Sequence, residues 1–155
     1  MSKLKIQKGQ NNPILRKKSL EIRRDFQCGT LDIPHKLAED MLETMIKNDG
    51  IGLSACQVGK NIRMFVVPRE LSKKWAFINP EIIKLSRKTN VMEEGCLSLP
   101  GIFVPVKRVK SLKIKALDEK GEEFKLKVKG LLARVIQHEY DHLDGILIVD
   151  KKKPV

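Results

Sequence analysis

One helix limits how this chain can fold, because it has no wholly polar side. Residues 131–143 predict a helix with apolar side chains on nearly all of its faces, and Gly145 follows where a glycine commonly ends a helix. Apolar residues that surround a helix have to be covered by other elements on most sides. We therefore expect this helix in the middle of the fold, packed between sheets.

The clearest strand pattern comes just before this helix. In Ser111–Leu117 and in residues 124–129, apolar residues alternate with lysines, and residues 118–122 between them have the composition of a turn. This pattern predicts an antiparallel hairpin with one basic face. The lysines of that face are Lys113, Lys115, Lys125, Lys127 and Lys129. We interpret the face as a solvated strand surface, with attraction to RNA as the functional alternative.

Shorter patterns complete the predicted elements. Residues 63–67 and 75–78 predict buried strands. Apolar residues at helical spacing predict a helix over residues 37–46, with Asp32-Ile33-Pro34 as its cap and first turn and Gly50 as its stop. Strands and helices are segregated along the chain rather than alternating, so the predicted class is α+β.

Length and charge restrict the class of protein. A chain of 155 residues is expected to form a single domain, residues 1–155. Its 31 Lys+Arg and 19 Asp+Glu give a net charge of +12, which favours an anionic partner. Aromatic residues make up only 5%, which argues against a stacking platform for single-stranded nucleic acid. With three cysteines and neither a membrane-spanning stretch nor a secretory signal, we expect a cytoplasmic protein with free or ligating thiols.

The predicted central helix contains the motif H-E-x-x-H. His138 and His142 are four residues apart, so both imidazoles project from one helical face and can hold one metal ion. Glu139 lies beside that face. The alternative is a polar patch in which the two histidines are only hydrogen-bonded. The cost of burying these side chains without partners favours the metal site.

A catalytic metal site normally has three protein ligands. The remaining histidine, His35, lies upstream, so the metzincin arrangement with a third histidine downstream is excluded. Asp144 and Asp150 are the only acids after His142, which indicates an upstream third ligand. The candidates are an upstream acid, His35, Cys28, Cys56 and Cys96.

Cys96 is distinguished among these candidates by its neighbours. Gly95 precedes it and Pro100-Gly101 follows, which predicts an irregular segment where backbone N–H groups can point at a ligand. The alternative is an inert cysteine that behaves as a small buried hydrophobic residue.

Three segments together resemble the signature motifs of the peptide deformylase family. They are Glu94-Gly95-Cys96-Leu97-Ser98, the sequence Q-H-E-Y-D-H-L at 137–143 and the sequence G-I-G-L-S-A-C-Q at 50–57, in the family's order and at similar separations. The resemblance extends from residues 13–16 to Asp150. It implies small antiparallel or mixed sheets wrapped around the central helix that carries H-E-x-x-H.

The resemblance also implies a ligand set. Cys96, His138 and His142 are expected to bind one divalent metal, Fe(II) natively, with Zn or Ni as substitutes. A thiolate donor suits an iron site and exposes it to oxidation.

Three further roles follow from the same resemblance. Glu139 is expected to be the general base. The side-chain amide of Gln57 and the backbone N–H of Leu97 are expected to stabilise the oxyanion that develops on the substrate.

The substrate implied is an N-formyl-methionyl nascent peptide, whose methionine needs an apolar pocket. The candidate pocket residues are Ile51, Gly52, Leu131 and Val135, with core packing as the competing explanation. We expect a monomer with a possible transient ribosome contact, no membrane association and no DNA partner.

The sequence departs from the family pattern just before Gln57. Ser54 and Cys56 stand where a small residue and a proline are usual. We expect Cys56 to be inert, and the alternatives are an oxidation-sensitive thiol or a rival ligand.

The expected function is hydrolysis that releases formate from the formyl-methionine of newly made peptides. The alternatives are another metal-dependent amidase or peptidase on the same scaffold, and a non-catalytic basic protein that binds ribosomal RNA. Glu139 and Gln57 argue against the latter, because binding alone requires neither.

Overall fold

Two antiparallel sheets and three α-helices form the structure of residues 4–23 and 34–151, which the computed structural model describes. The helices are α1 (Pro13–Arg16), α2 (His35–Lys47) and α3 (Gly130–Leu143). The strands are β1 (Leu53–Ser54), β2 (Met64–Val66), β3 (Ala76–Leu85), β4 (Thr89–Cys96), β5 (Leu99–Val109), β6 (Ser111–Leu117) and β7 (Glu123–Lys129). The large sheet has the order β1-β2-β3-β6-β7, and β4 and β5 form a separate two-stranded sheet.

The large sheet has a helix on each face, as the alternation along β2 illustrates. Met64 and Val66 belong to the same buried cluster as the apolar residues of α2. Phe65, which points the other way, belongs to the cluster that contains the apolar residues of α3. The period of two along a strand therefore assigns alternate residues to different helices.

Helix α3 lies between the two sheets, as its sequence predicted. Its apolar residues pack on the large sheet, and its polar side chains reach the small one. The Gln137 amide donates to the carbonyl of Val109 at 2.9 Å and accepts from the Val109 N–H at 3.0 Å. Arg134 donates to the carbonyl of Val106 on the same strand, β5. The predicted α+β class and central helix are confirmed.

The predicted β6–β7 hairpin is also confirmed. Leu112, Ile114 and Ala116 are buried, and the register pairs Lys113 with Lys127 and Lys115 with Lys125. The turn is held by the Asp118 carboxylate, which accepts hydrogen bonds from the backbone N–H groups of two turn residues at 2.9 Å each.

The β4–β5 hairpin was not predicted from the sequence. The segment around Cys96 was expected to be irregular, but β4 continues to Cys96 and β5 starts at Leu99, with a register irregularity between Glu94 and Cys96. Residues 89–93 are all exposed, so they show no alternation from which a strand is predicted.

The boundaries of other elements also differ from those predicted from the sequence. The strand predicted at 75–78 runs on as β3 to Leu85, because it pairs along its length with β6. Helix α2 ends at Lys47, and the N–H of Gly50 caps the carbonyl of Met45 at 2.9 Å. The predicted cap residues Asp32 and Ile33 lie outside the described residues, as does Cys28.

None of the helices within residues 4–23 and 34–151 is long and apolar enough to cross a membrane.

Candidate metal centre

Three side chains from two elements present their donor atoms to one point. Cys96 Sγ and one ring nitrogen each of His138 and His142 all lie within 4.8 Å of one another. The Nε2 atoms of the two histidines are 3.2 Å apart, and Cys96 Sγ is 3.4 Å from His142 Nε2. One turn of α3 separates the histidines, and the end of β4 brings the cysteine to them.

The chemistry of this donor set fits a divalent metal ion. A thiolate and two imidazoles suit iron, zinc and other first-row metals. Burial and the charge of His138 lower the pKa of His142 well below its ordinary value, which keeps His142 in the neutral form that ligates. Burial opposes a charge on His138, but hydrogen bonds with Cys96 and Glu94 outweigh it and raise its pKa to about 10. The negative groups around the centre therefore favour a positive charge there.

Glu94 orients His138 through the ring nitrogen that faces away from the donor set. Its Oε1 accepts from His138 Nδ1 at 3.0 Å, which leaves Nε2 facing the centre. Arg108 donates two hydrogen bonds to Glu94, at 2.9 and 3.0 Å, and Arg134 adds a third. Burial raises the pKa of Glu94, but the hydrogen bonds and charges of His138 and Arg108 outweigh burial and hold the pKa far below its usual range. Arg108 also pairs with Asp141 on α3.

Sequence reasoning missed this network. It used Glu94 only as part of a motif and gave Arg108, Arg134 and Asp141 no role. One signal was available, because Arg134 lies one turn before His138 on a helix expected to be buried, where a charge without a partner is costly.

Glu139 lies beside the centre with its carboxylate buried. Ser54 Oγ donates to Glu139 Oε2 at 2.7 Å, and burial is the main cause that raises the pKa of Glu139. A Cβ at residue 52 would lie 2.5 Å from Glu139 Oε1. Gly52 is therefore required for the close approach of this carboxylate.

Gln57 is also held in place. Its Oε1 accepts from the N–H of Ser54 at 2.9 Å. Its Nε2 lies 3.1 Å from Ser98 Oγ and 3.6 Å from Cys96 Sγ, so the amide N–H group points towards the donor set. Leu97 follows Cys96 in the turn between β4 and β5 and lines the adjoining cavity.

A cavity of about 410 Å³ opens beside the centre. All four predicted pocket residues, Ile51, Gly52, Leu131 and Val135, line it. Val135 is buried, whereas Ile51 and Leu131 are half exposed at the rim. Met92 and Phe103 also line the cavity, and the sequence did not predict them because the β4–β5 hairpin was not predicted.

Among the residues that the structure describes, the other candidate ligands do not join the donor set. His35 is exposed at the start of α2, and its Nε2 lies 3.5 Å from Glu39 Oε1. Cys56 is fully buried with its thiol directed at the carbonyl of His142, and burial raises its pKa to about 12. Of the cysteines that the structure describes, Cys96 is therefore the one in position to ligate.

These features are typical of the class of metal-dependent hydrolases. They are a histidine pair on one helix, a soft third donor, a buried glutamate and an adjoining cavity. Comparison with known proteins specifies the class further. The chain belongs to the polypeptide deformylase family, whose model matches residues 4–155.

Curated relatives include peptide deformylase 1 of Clostridium perfringens, which is 55% identical over 115 residues, 74% of this chain and 78% of that protein. The peptide deformylase of Dictyoglomus thermophilum is 47% identical over 141 residues, 90% of this chain and 87% of that protein. The members of this family are metal-dependent enzymes, and this chain is an enzyme of the same kind.

Solved structures agree with this assignment. The crystal structure of peptide deformylase from Thermotoga maritima matches with a TM-score of 0.87 and 40% identity, covering 99% of this chain and 100% of that chain. A peptide deformylase from Synechococcus elongatus in complex with actinonin matches with a TM-score of 0.86 and 36% identity, covering 97% of this chain and 79% of that chain.

Proposed function

We propose that this enzyme releases formate from N-formyl-methionyl peptides at the centre formed by Cys96, His138 and His142. The observation that carries the proposal is the convergence of these three donors within 4.8 Å, next to a buried glutamate and a cavity. The two histidines come from α3 and the cysteine from the end of β4, so one chain supplies the whole set.

The metal proposed for this centre is Fe(II), with Zn or Ni as substitutes. Thiolate and imidazole donors suit all three ions. A divalent metal held there supplies Lewis acidity, which lowers the pKa of water and polarises the formyl group.

Glu139 is proposed as the general base. It takes a proton from the attacking water and delivers it to the amine nitrogen that departs from the formyl carbon. The hydrogen bond from Ser54 fixes the orientation of its carboxylate. Burial raises the pKa of Glu139, which makes its carboxylate a stronger proton acceptor.

Gln57 and Leu97 are proposed to stabilise the negative charge that develops on the formyl oxygen. The bonds that Gln57 makes with Ser54 and Ser98 fix its amide before the reaction begins. A donor fixed in advance does not have to reorganise as the charge develops. Leu97 would contribute its backbone N–H from the turn beside Cys96.

The cavity beside the centre is proposed to take the methionine side chain. Ile51, Leu131 and Val135 offer apolar surface, and Gly52 leaves room for the carboxylate of Glu139. Apolar surface with a few polar groups beside it both binds and orients such a side chain.

We also propose that the enzyme acts as a monomer in the cytoplasm and contacts the ribosome transiently. The monomer is supported by a donor set that comes from one chain. The compartment and the ribosome contact follow from the substrate, which is a peptide still being made or newly released.

Formate release tests this function directly. The Fe(II)-loaded enzyme, prepared without oxygen, is expected to release formate from formyl-Met-Ala-Ser and to leave the internal peptide bonds intact. Cleavage of an internal bond would support the peptidase alternative. Lack of any hydrolysis by the loaded enzyme would support the non-catalytic RNA-binding alternative.

A further inference from the structure

A cluster of cations occupies one corner of the large sheet, and none of its members lines the cavity beside the metal centre. Residues 84–88, 110–113 and 127–129 meet there and contain no aspartate or glutamate. Backbone hydrogen bonds link the first two segments, from Ser86 N to the Ser111 carbonyl at 3.0 Å and from Lys110 N to the Lys88 carbonyl at 2.8 Å. We call the following residues the basic corner: Lys84, Arg87, Lys88, Lys110, Lys113, Lys127 and Lys129.

Three of these lysines stand in one row across three strands. The register places Lys113 of β6 opposite both Lys84 of β3 and Lys127 of β7. Like charges directly opposite each other destabilise a sheet. Among the described residues, no acidic side chain forms an ion pair with any member of the basic corner.

In the neighbouring row of the same sheet, the lysine charge is neutralised by nearby carboxylates. Lys115 lies 3.6 Å from a carboxylate oxygen of Glu81 and 3.8 Å from one of Glu123. The uncompensated charge is therefore local to the basic corner, and it is not a general property of the lysine-bearing hairpin.

The basic corner is also concave. A cavity of about 490 Å³ is lined by Lys84, Lys113, Lys127 and Lys129, together with the serines Ser86 and Ser111. Leu112 and Val128 also line the cavity, and the Ser86 hydroxyl is already bonded to the Lys88 carbonyl and to the Ser111 N–H. The ammonium groups around the cavity are suited to bind phosphate oxygens.

We propose that the basic corner binds the phosphate backbone of double-helical RNA. None of the three segments contains an aromatic residue, so the surface has no platform on which unpaired bases stack. Contact with phosphates alone suits a duplex, which is bound by its shape and charge. The choice of RNA rests on the proposed function, because the substrate is made on a particle rich in folded RNA.

Binding of an RNA duplex of about 16 base pairs tests the proposal. The wild-type enzyme is expected to bind it at 50 mM salt and to lose affinity about 10³-fold by 200 mM, the loss for roughly six phosphate contacts. The triple variant Lys84→Gln, Lys113→Gln, Lys127→Gln is expected to lower the slope of log affinity against log salt by about three contacts. A control variant of equal charge changes the exposed Lys17, Lys18 and Lys60 to Gln and is expected to bind like the wild type.

Three results would overturn the proposal. They are no binding at 50 mM salt, an equal loss of affinity in the two triple variants, and binding to vesicles containing phosphatidylserine but not to RNA. Formate release from a free formyl-Met tripeptide, measured on every variant, is expected to stay at the wild-type level. That assay separates failure of the RNA proposal from failure of the proposed function and from misfolding.

Thermal unfolding gives a second readout. If the row of Lys84, Lys113 and Lys127 serves binding rather than stability, Lys113→Gln is expected to raise the melting temperature at low salt. This gain should shrink as added salt screens the repulsion between the lysines. A lower melting temperature in Lys113→Gln would contradict this explanation of the row.

Discussion

Glu94 joins the strand that ends in Cys96 to the helix that carries both histidines. It is buried and accepts hydrogen bonds from Arg108, Arg134 and His138. A buried charge is tolerated only when its partners are close and well oriented. The network therefore fixes β4 relative to α3, and with it the position of the thiol relative to the imidazoles.

Replacement of single cysteines tests the ligand assignment. In the cobalt-substituted enzyme, a thiolate ligand gives a sulfur-to-metal charge-transfer band. Cys96→Ser is expected to abolish that band. It is also expected to weaken metal binding by more than the ~10–100-fold caused by mutating a residue that only hydrogen-bonds to a ligand. Cys56→Ser should keep both, since its thiol faces the carbonyl of His142. Survival of the band in Cys96→Ser and its loss in Cys56→Ser would identify Cys56 as the ligand.

Gly52 gives a steric prediction at the same scale. In Gly52→Ala the new methyl would lie 2.5 Å from Glu139 Oε1 and 2.9 Å from its Cγ, so the carboxylate has to move. Turnover is expected to fall by about 10²-fold, with the metal retained. Gly50→Ala is the matched comparison, because its methyl would meet the flexible end of Leu97 at 2.8 Å. Equal turnover in the two variants would contradict the need for space beside Glu139.

At the scale of elements, the sequence predicted the helices and strands that have an apolar side and a polar side. Strand β6 alternates buried apolar residues with lysines, and α3 combines apolar faces with a recognisable motif. Strand β4 was missed because residues 89–93 are exposed on both sides of the strand. The cavity was predicted in part. Ile51 lies within the motif at 50–57 and Leu131 lies on the helix that carries H-E-x-x-H, whereas Phe103 lies on the hairpin that was not predicted.

The β6–β7 turn makes a prediction about pH. Burial raises the pKa of Asp118, but the hydrogen bond from Lys74 and two backbone N–H bonds outweigh it, so the pKa is lowered in the folded protein. The stability gained from the Asp118 charge is thus present above its ordinary pKa, near 4, and is lost as the pH falls through the lower folded value.

Asp118→Asn tests this prediction, because the amide oxygen can still accept from the two backbone N–H groups. At pH 7 the variant is expected to lose about 1 kcal/mol of unfolding free energy, an amount limited by the partial exposure of Lys74. The difference from wild type should shrink below about pH 4. A difference that does not change with pH would show that the charge has no part in it.

At the scale of the whole molecule, the central position of α3 followed from its sequence, because a helix with no wholly polar side has to be covered on most of its sides. The charged network that crosses from α3 to the small sheet did not follow, because its members are far apart in the chain. Glu94 and Arg134, for example, are 40 residues apart and meet only in the fold. Periodicity predicts which side of an element is buried, but it does not predict which distant charges pair there.

The central claim is that a metal held by Cys96, His138 and His142 works with Glu139 as general base. Metal content and formate release, measured on the same preparation of Glu139→Gln, test it most directly. The variant is expected to keep the wild-type amount of metal, because Glu139 is not a ligand, and to lose at least ~10²-fold in turnover. Loss of metal from the variant, or wild-type turnover with the metal in place, would contradict the claim.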